Sequence, residues 1–256
     1  MSTAVERLEA IIAESDSPDQ SLVVANRTDV DPIQRLLETT FEGQSVGVTE
    51  IDRQSAESDT VLLVRGGEVI ASSPLDAVAD ACLLVNSDLY RTGLGGIDRS
   101  RAPAVITALD ETVFDLRGFP ASANEKLLLI LISRFIEARA LEQGEGVLRA
   151  TFQELSRLAH EGGTLEVYRR LAGTDLSVHV YGQDDWTIPA EIDLQVHKGT
   201  HDGYRRSWCV SFEPPAGSDR QAAMVALETG DNRWRGTRTY DAEKVCRVSE
   251  TLAEEF

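Results

Sequence analysis

The chain has 256 residues, 42% of them hydrophobic, which argues against a disordered chain and is enough to bury a core in one large or two modest domains. It carries 43 acidic residues against 25 basic ones, a formal net charge of -18, and its only lysines are Lys126, Lys198 and Lys244. That surplus repels itself in dilute buffer but is screened in molar salt, where the Debye length falls to about 3 Å, so the composition predicts a cytoplasmic protein of a salt-accumulating organism and argues against direct nucleic-acid binding.

Val5, Leu8, Ile11 and Ile12 share one helical face, which predicts a helix over residues 3–14. Leu22-Val23-Val24 reads as a buried strand after a polar turn. Pro32 opens a helix with Ile33, Leu36, Leu37 and Phe41 on one side. Strands follow at 46–51 and 61–64, and Gly66-Gly67 turns the second into Val69-Ile70. Pro74 opens another helix, with Leu75, Val78, Ala79, Cys82 and Leu83 at helical spacing. Residues 93–103 read as a loop and 113–116 as a short strand. Ser122 and Glu125 have capping-box spacing, starting a long helix at about 123–143 that Gly144 stops. The first half of this helix is apolar on every face and is expected to be buried. Its second half, with Ser133, Arg134, Glu137, Arg139 and Glu142, is expected to emerge toward solvent or a pocket.

Thr151 and Glu154 repeat the capping-box spacing, predicting a helix up to Gly162-Gly163, and Leu165, Tyr168 and Leu171 mark another before Gly173. Leu176, Val178 and Val180 alternate with Ser177, His179 and Tyr181, as in a strand with one apolar face. Trp208, Val210 and Phe212 alternate in the same way. Residues 224–227 and 234–240 form a hairpin around Gly230-Asp231-Asn232, and Asp241 caps a last helix lined by Val245, Val248 and Leu252. The alternation of strands and helices predicts an α/β fold, a layered mixed sheet flanked by helices. A weak boundary near 117–121 divides an N-terminal α/β segment, 1–118, from a second unit, 119–256.

Motifs for chemistry are sparse. Cys82, Cys209 and Cys246 are widely spaced with no CxxC, as expected in a reducing cytosol. The acidic, amphipathic N-terminus does not read as a secretory leader. The longest apolar run, Leu127 to Ile132, is six residues, too short to span a bilayer. His197 and His201 have HxxxH spacing, but Gly199 and Gly203 around them favour a solvated turn over a metal site. Thr92-Gly93-Leu94-Gly95-Gly96 lacks both GxGxxG and the Walker lysine. Neither GxSxG nor kinase boxes occur, which leaves a hydrolase only as a weak third reading. No cofactor and no metal are expected.

The polar residues of the second half are the candidate ligand-binding set: Arg134, Glu137, Arg139, Gln153, Tyr168, His179, Tyr181 and Trp208. Each also has a structural reading. Arg134 and Glu137 at i,i+3 make an ion pair, and Gln153, Tyr168, His179 and Tyr181 fit as satisfied interior polar groups. Trp208, like Trp186 and Trp234, fits as packing. On the functional reading, Arg134, Tyr168 and His179 ring one pocket, in which the planar Arg134 fork would hold an anionic or carbonyl ligand.

Several stretches carry a family likeness. They are Leu131-Ile132-Ser133-Arg134-Phe135-Ile136-Glu137, Phe152-Gln153, Tyr168-Arg169-Arg170-Leu171-Ala172 and Val178-His179-Val180-Tyr181-Gly182, followed by Arg206-Ser207-Trp208 with Val210, and by Trp234, Tyr240-Asp241 and Val245. In order and spacing they resemble the DICT sensory family, named for its occurrence beside diguanylate cyclases and two-component proteins. The likeness covers about residues 120–256, and the first half is similar to the N-terminal part of stand-alone haloarchaeal members. Where members tend to carry an aromatic pair, this chain has Gly236-Thr237-Arg238 before Thr239-Tyr240-Asp241. The resemblance implies signal input, sometimes linked to light response, with a signalling or regulatory protein partner and no established catalysis, so no catalytic residue is carried over. An accessory subunit of a transcription or histidine-kinase complex, binding no small molecule, is the alternative.

Overall fold

The computed structural model describes residues 3–15, 19–26, 46–51, 59–88, 103–117, 124–160, 163–231 and 233–256. The expected Pro32 helix, the Ser122 cap and most of the 93–103 loop lie outside them. Helix α1 (Ala4–Ala13) opens on a capping box in which the Glu6 amide donates to Thr3 Oγ1 and the Thr3 amide to Glu6 Oε2. Strands β1 (Gln20–Ala25), β2 (Val46–Ile51), β3 (Thr60–Arg65) and β4 (Glu68–Pro74) form a four-stranded sheet in the order β2-β1-β3-β4. Within it β1 and β2 run parallel, and the other pairs are antiparallel. The β3–β4 hairpin turns on Gly66 and Gly67, whose φ values of 57° and 86° suit glycine. Helix α2 (Leu75–Asp88) and the short α3 (Ala104–Thr107) then lead to β5 (Val113–Arg117).

The second sheet has seven strands in the order β5-β11-β10-β9-β6-β7-β8. Its members after β5 are β6 (Glu145–Glu154), β7 (Asp175–Gln183), β8 (Gln195–Lys198), β9 (Ser207–Glu213), β10 (Ala222–Gly230) and β11 (Arg233–Thr239). Pairings β6–β7 and β7–β8 are parallel and the rest antiparallel. The fold is therefore the expected α/β one, with mixed sheets flanked by helices. Helix α4 (Asn124–Gln143) is the expected long helix, and it ends where Gly144, at φ 72°, donates its amide to Ala140 O. Helices α5 (Arg157–His160) and α6 (Thr164–Ala172) make the crossover from β6 to β7, and α7 (Asp202–Arg206) precedes β9. Helix α8 (Ala242–Glu255) starts at Asp241, whose Oδ1 accepts from the Lys244 amide.

Two apolar cores cover the two faces of the large sheet. One joins Leu148, Val178, Val180, Val210, Phe212 and Met224 of the sheet to Ile132, Phe135 and Ile136 of α4 and to Tyr168 and Leu171 of α6. It continues into Leu22, Val24, Val61 and Leu63 of the small sheet. The other packs Val5, Leu8, Ile11 and Ile12 of α1 and Val245, Val248 and Leu252 of α8 against Cys209, Ala223, Val225 and Tyr181.

Three expectations need correction. The segment Thr151–Glu154 is not a helix start but the end of β6. Thr151 Oγ1 donates to Ser207 O and accepts from the Cys209 amide, so a side chain with capping geometry in sequence is used across the sheet instead. His197 and His201 are not one turn: His197 lies on β8, and His201 caps α7, its Nδ1 accepting from the Gly203 amide. Nor does the polar half of α4 emerge as a whole: Glu142 at its end is exposed and Arg134 and Arg139 are half-buried. Ser133 and Glu137 are 6% and 3% exposed, because α4 runs between the large sheet and α6 and meets polar partners there.

Candidate functional site

Arg134, Glu137 and Tyr168 converge between α4 and α6. Arg134 and Glu137 are one turn apart on α4, so both face α6. Arg134 Nη1 donates to Glu137 Oε2 at 2.7 Å and its Nη2 to Thr164 Oγ1 at 2.7 Å, while Tyr168 OH donates to Glu137 Oε1 at 3.1 Å. Both carboxylate oxygens of Glu137 thus accept inside the core, which is what a buried charge requires. Burial, then the Glu137 charge, raises the Tyr168 phenol well above its ordinary value, so it stays a neutral donor. The Tyr168 ring packs edge-on to Phe152 at 5.2 Å. Ser133 turns the other way, toward Met224 Sδ at 3.8 Å.

The remaining candidates lie elsewhere. Arg139, near the end of α4, donates Nε to Arg220 O and Nη2 to Asp219 O, and its guanidinium sits 5.6 Å from the Phe135 ring centroid and 5.2 Å from that of Tyr240. Gln153 is buried at the end of β6 with φ 58°, and its Nε2 donates to Arg205 O at 2.8 Å. Trp208 is half-buried on the α4 side of the sheet, edge-on to Trp234 at 6.4 Å.

His179 and Tyr181 occupy the other face of β7, since alternation sends them away from Val178 and Val180. His179 Nδ1 lies 3.0 Å from His197 Nε2. The two rings are near-coplanar, at 17° with centroids 5.3 Å apart, so they meet edge to edge along a shared N–H···N axis. Ser177 Oγ lies 3.1 Å from His179 Nε2 and accepts from Gln195 Nε2 at 2.8 Å. Tyr181 stacks on His197 at 4.4 Å, and its hydroxyl accepts from Arg149 Nη1 at 2.8 Å. Arg149 Nε donates in turn to Ser249 Oγ, which donates to Glu213 Oε2. Burial, then the Arg149 cation, then His197 push His179 down to about 4, and burial with Arg149 lowers His197 as well. Both imidazoles are therefore neutral at neutral pH.

The sheet thus separates Arg134 and Tyr168 from His179, and the three do not ring one pocket. The partners Thr164, Arg149 and His197 were missed by the sequence reading: β6 was not recognised at 145–150 and β8 not at all, so no sequence signal placed Arg149 or His197 beside Tyr181. An open cleft of about 710 Å³ lies at the N-terminus of α1, lined by Thr3, Glu6, Glu9, His201, Arg205 and Arg206, none of which belongs to the candidate ligand-binding set. Among the described residues no helix is long and apolar enough to cross a membrane, and no group of three or more His, Cys, Asp or Glu is arranged to hold a metal ion.

No curated protein matches the chain. Polyphosphate kinase from Porphyromonas gingivalis matches among solved structures, with a TM-score of 0.37 and 9% sequence identity over 98% of this chain and 48% of that one. The chain spans about half the length of that kinase, and a superposition this loose carries no argument. The family model that matches is DICT, described as the sensory domain in diguanylate cyclases and two-component systems, and it covers residues 104–229. That span takes in β5 to β10 of the large sheet together with α4, α6 and both polar clusters. Residues 104–229 of this chain are a DICT sensory domain.

Proposed function

We propose that the chain is a cytoplasmic sensory input module that detects a small molecule or the state of a partner and passes the signal on by protein contact. The DICT sensory domain at 104–229 is the observation that carries this reading. On it, residues 1–118 form an N-terminal segment of the kind found in haloarchaeal members and 119–256 the sensing unit, and a link to light responses belongs to the same proposal. The net charge of -18 supports a salt-accumulating host.

A second reading, an accessory subunit of a transcription or histidine-kinase complex that binds no small molecule, is favoured by the α4–α6 cluster. There Arg134, Glu137, Thr164 and Tyr168 engage one another. Native mass spectrometry of the chain purified from its own host tests both. A retained small molecule whose removal alters partner binding supports the sensory reading. A stoichiometric protein complex without any small molecule, unaltered by extracts of the host's metabolites, moves the assignment to the accessory subunit.

A further inference from the structure

Two arginines of this fold fill the edge formed by Nε–H and the neighbouring Nη2–H, whose two bonds point the same way. Arg139 spends that edge on two consecutive carbonyls, Arg220 O at 3.1 Å and Asp219 O at 3.2 Å. Arg206 closes it on Glu228 O at 3.0 and 2.9 Å. Two others differ in having a buried Nε with no partner. Arg238 on β11 is 0% exposed, and Arg65 ends β3 in the other sheet, yet the Nε of each is buried without a hydrogen-bond partner.

Both reach the same place. Arg238 Nη2 touches Thr107 O at 3.4 Å, and Arg65 Nη2 touches Ala108 O at 3.5 Å, near the outer limit for such contacts. The two guanidiniums thus meet consecutive carbonyls from different sheets, each with its Nε–H unused. Arg65 Nη2 also reaches Gln20 Oε1 at 3.1 Å, and the Tyr240 ring lies 5.2 Å from the Arg238 guanidinium. The nearby Asp110 carboxylate attracts the Arg238 charge but makes no hydrogen bond to either Nε, and its Oδ1 accepts from the Tyr240 and Glu111 amides. Buried polar groups are almost always satisfied, and an exception calls for a physical explanation, of which a bound ion is one. In a chain of net charge -18 the overall field repels anions, so an anion held here would be held by local geometry.

We propose that Arg65 and Arg238 form an oxyanion site at the junction of the two sheets, for the carboxylate or phosphate group of a small metabolite. The O–X–O span of such a group matches an Nε/Nη2 edge, which donates two parallel, charge-assisted bonds. Two forks from different sheets would grip different oxygens, so an occupant ties the small sheet to the large one. Separate waters could satisfy each Nε–H, but they would leave no linkage to an added anion.

Calorimetric titration of the full chain with inorganic phosphate, at ionic strength held constant with KCl, tests the proposal. Saturable binding is expected, weakened at least about tenfold by Arg65→Gln and by Arg65→Lys, since an ammonium keeps the charge but loses the fork. Arg206→Gln, whose carbonyl partner fills its edge, leaves the affinity unchanged. Arg238 is so deeply buried that its variants can fail to fold, so the half-buried Arg65 carries the test. Absence of saturable phosphate binding to the wild-type chain, or binding indifferent to Arg65→Gln and Arg65→Lys, would overturn the site. The measurement reads binding alone, so it stands or falls apart from the sensory reading.

Discussion

Two side chains define the residue scale, Arg134 and His179. Arg134 spans Glu137 and Thr164 with its two Nη atoms, a reach that a single ammonium cannot reproduce. Arg134→Lys is therefore expected to lower unfolding stability by about 1–3 kcal/mol, the worth of a hydrogen bond to a charged group. Chemical denaturation measures it, and a structural role leaves the signalling output of the folded fraction normal. His179 titrates in the native state only near pH 4, against 6.5 for an ordinary imidazole. The unfolded chain then binds the extra proton between those values, so the contribution is full above pH 6.5 and is lost as pH falls toward 4. His197 moves in the same direction. A set of melting temperatures across that window is expected to fall toward acid more steeply in the wild type than in His179→Gln. Equal slopes would remove the linkage. The effect is modest because the pair is only partly buried.

At the scale of elements, α4 is the clearest test of the core. Ile132, Phe135 and Ile136 are buried at 1%, 7% and 0% exposure, as expected, and the side chain of Leu128 lies outside the described residues. Ile132→Asp would place an unpaired carboxylate among apolar neighbours and is expected to cost about 3–5 kcal/mol. Loss of the cooperative unfolding transition checks this, and a variant that melts like the wild type would displace α4 from the core. The polar half of the same helix resisted a sequence reading. Periodicity cannot tell a solvated Glu137 from one whose oxygens are taken by Arg134 and by Tyr168, which lies 31 residues further on. For β6, Thr151 and Glu154 have the spacing of a helix cap, but pairing with β7 and β9 outweighs that local preference.

At the scale of the whole molecule, the net charge supplies a test. With a formal net charge of -18, stability is expected to climb from low salt to molar KCl as self-repulsion is screened. A melting temperature that is flat or falling over that range would remove the halophilic reading. Architecture adds a second feature at this scale. The two sheets share one apolar core, while α1 and α8 seal the opposite face of the large sheet with a separate one.

Local signals in the chain determined the α/β class, the long helix with its glycine stop at Gly144, the cap at Asp241 and the alternation of β7 and β9. Each depends on residues within a few positions of one another, where periodicity and capping act. Strand order, and with it the site, was decided only in three dimensions. The sheet puts Arg134 and His179 on opposite sides although both lie within the matched domain, and it brings His197 against His179 across 18 positions. It also turns two arginines 173 positions apart toward the consecutive carbonyls of Thr107 and Ala108. Such meetings depend on which strands pair and which face each side chain takes, and a one-residue change of register would undo them all.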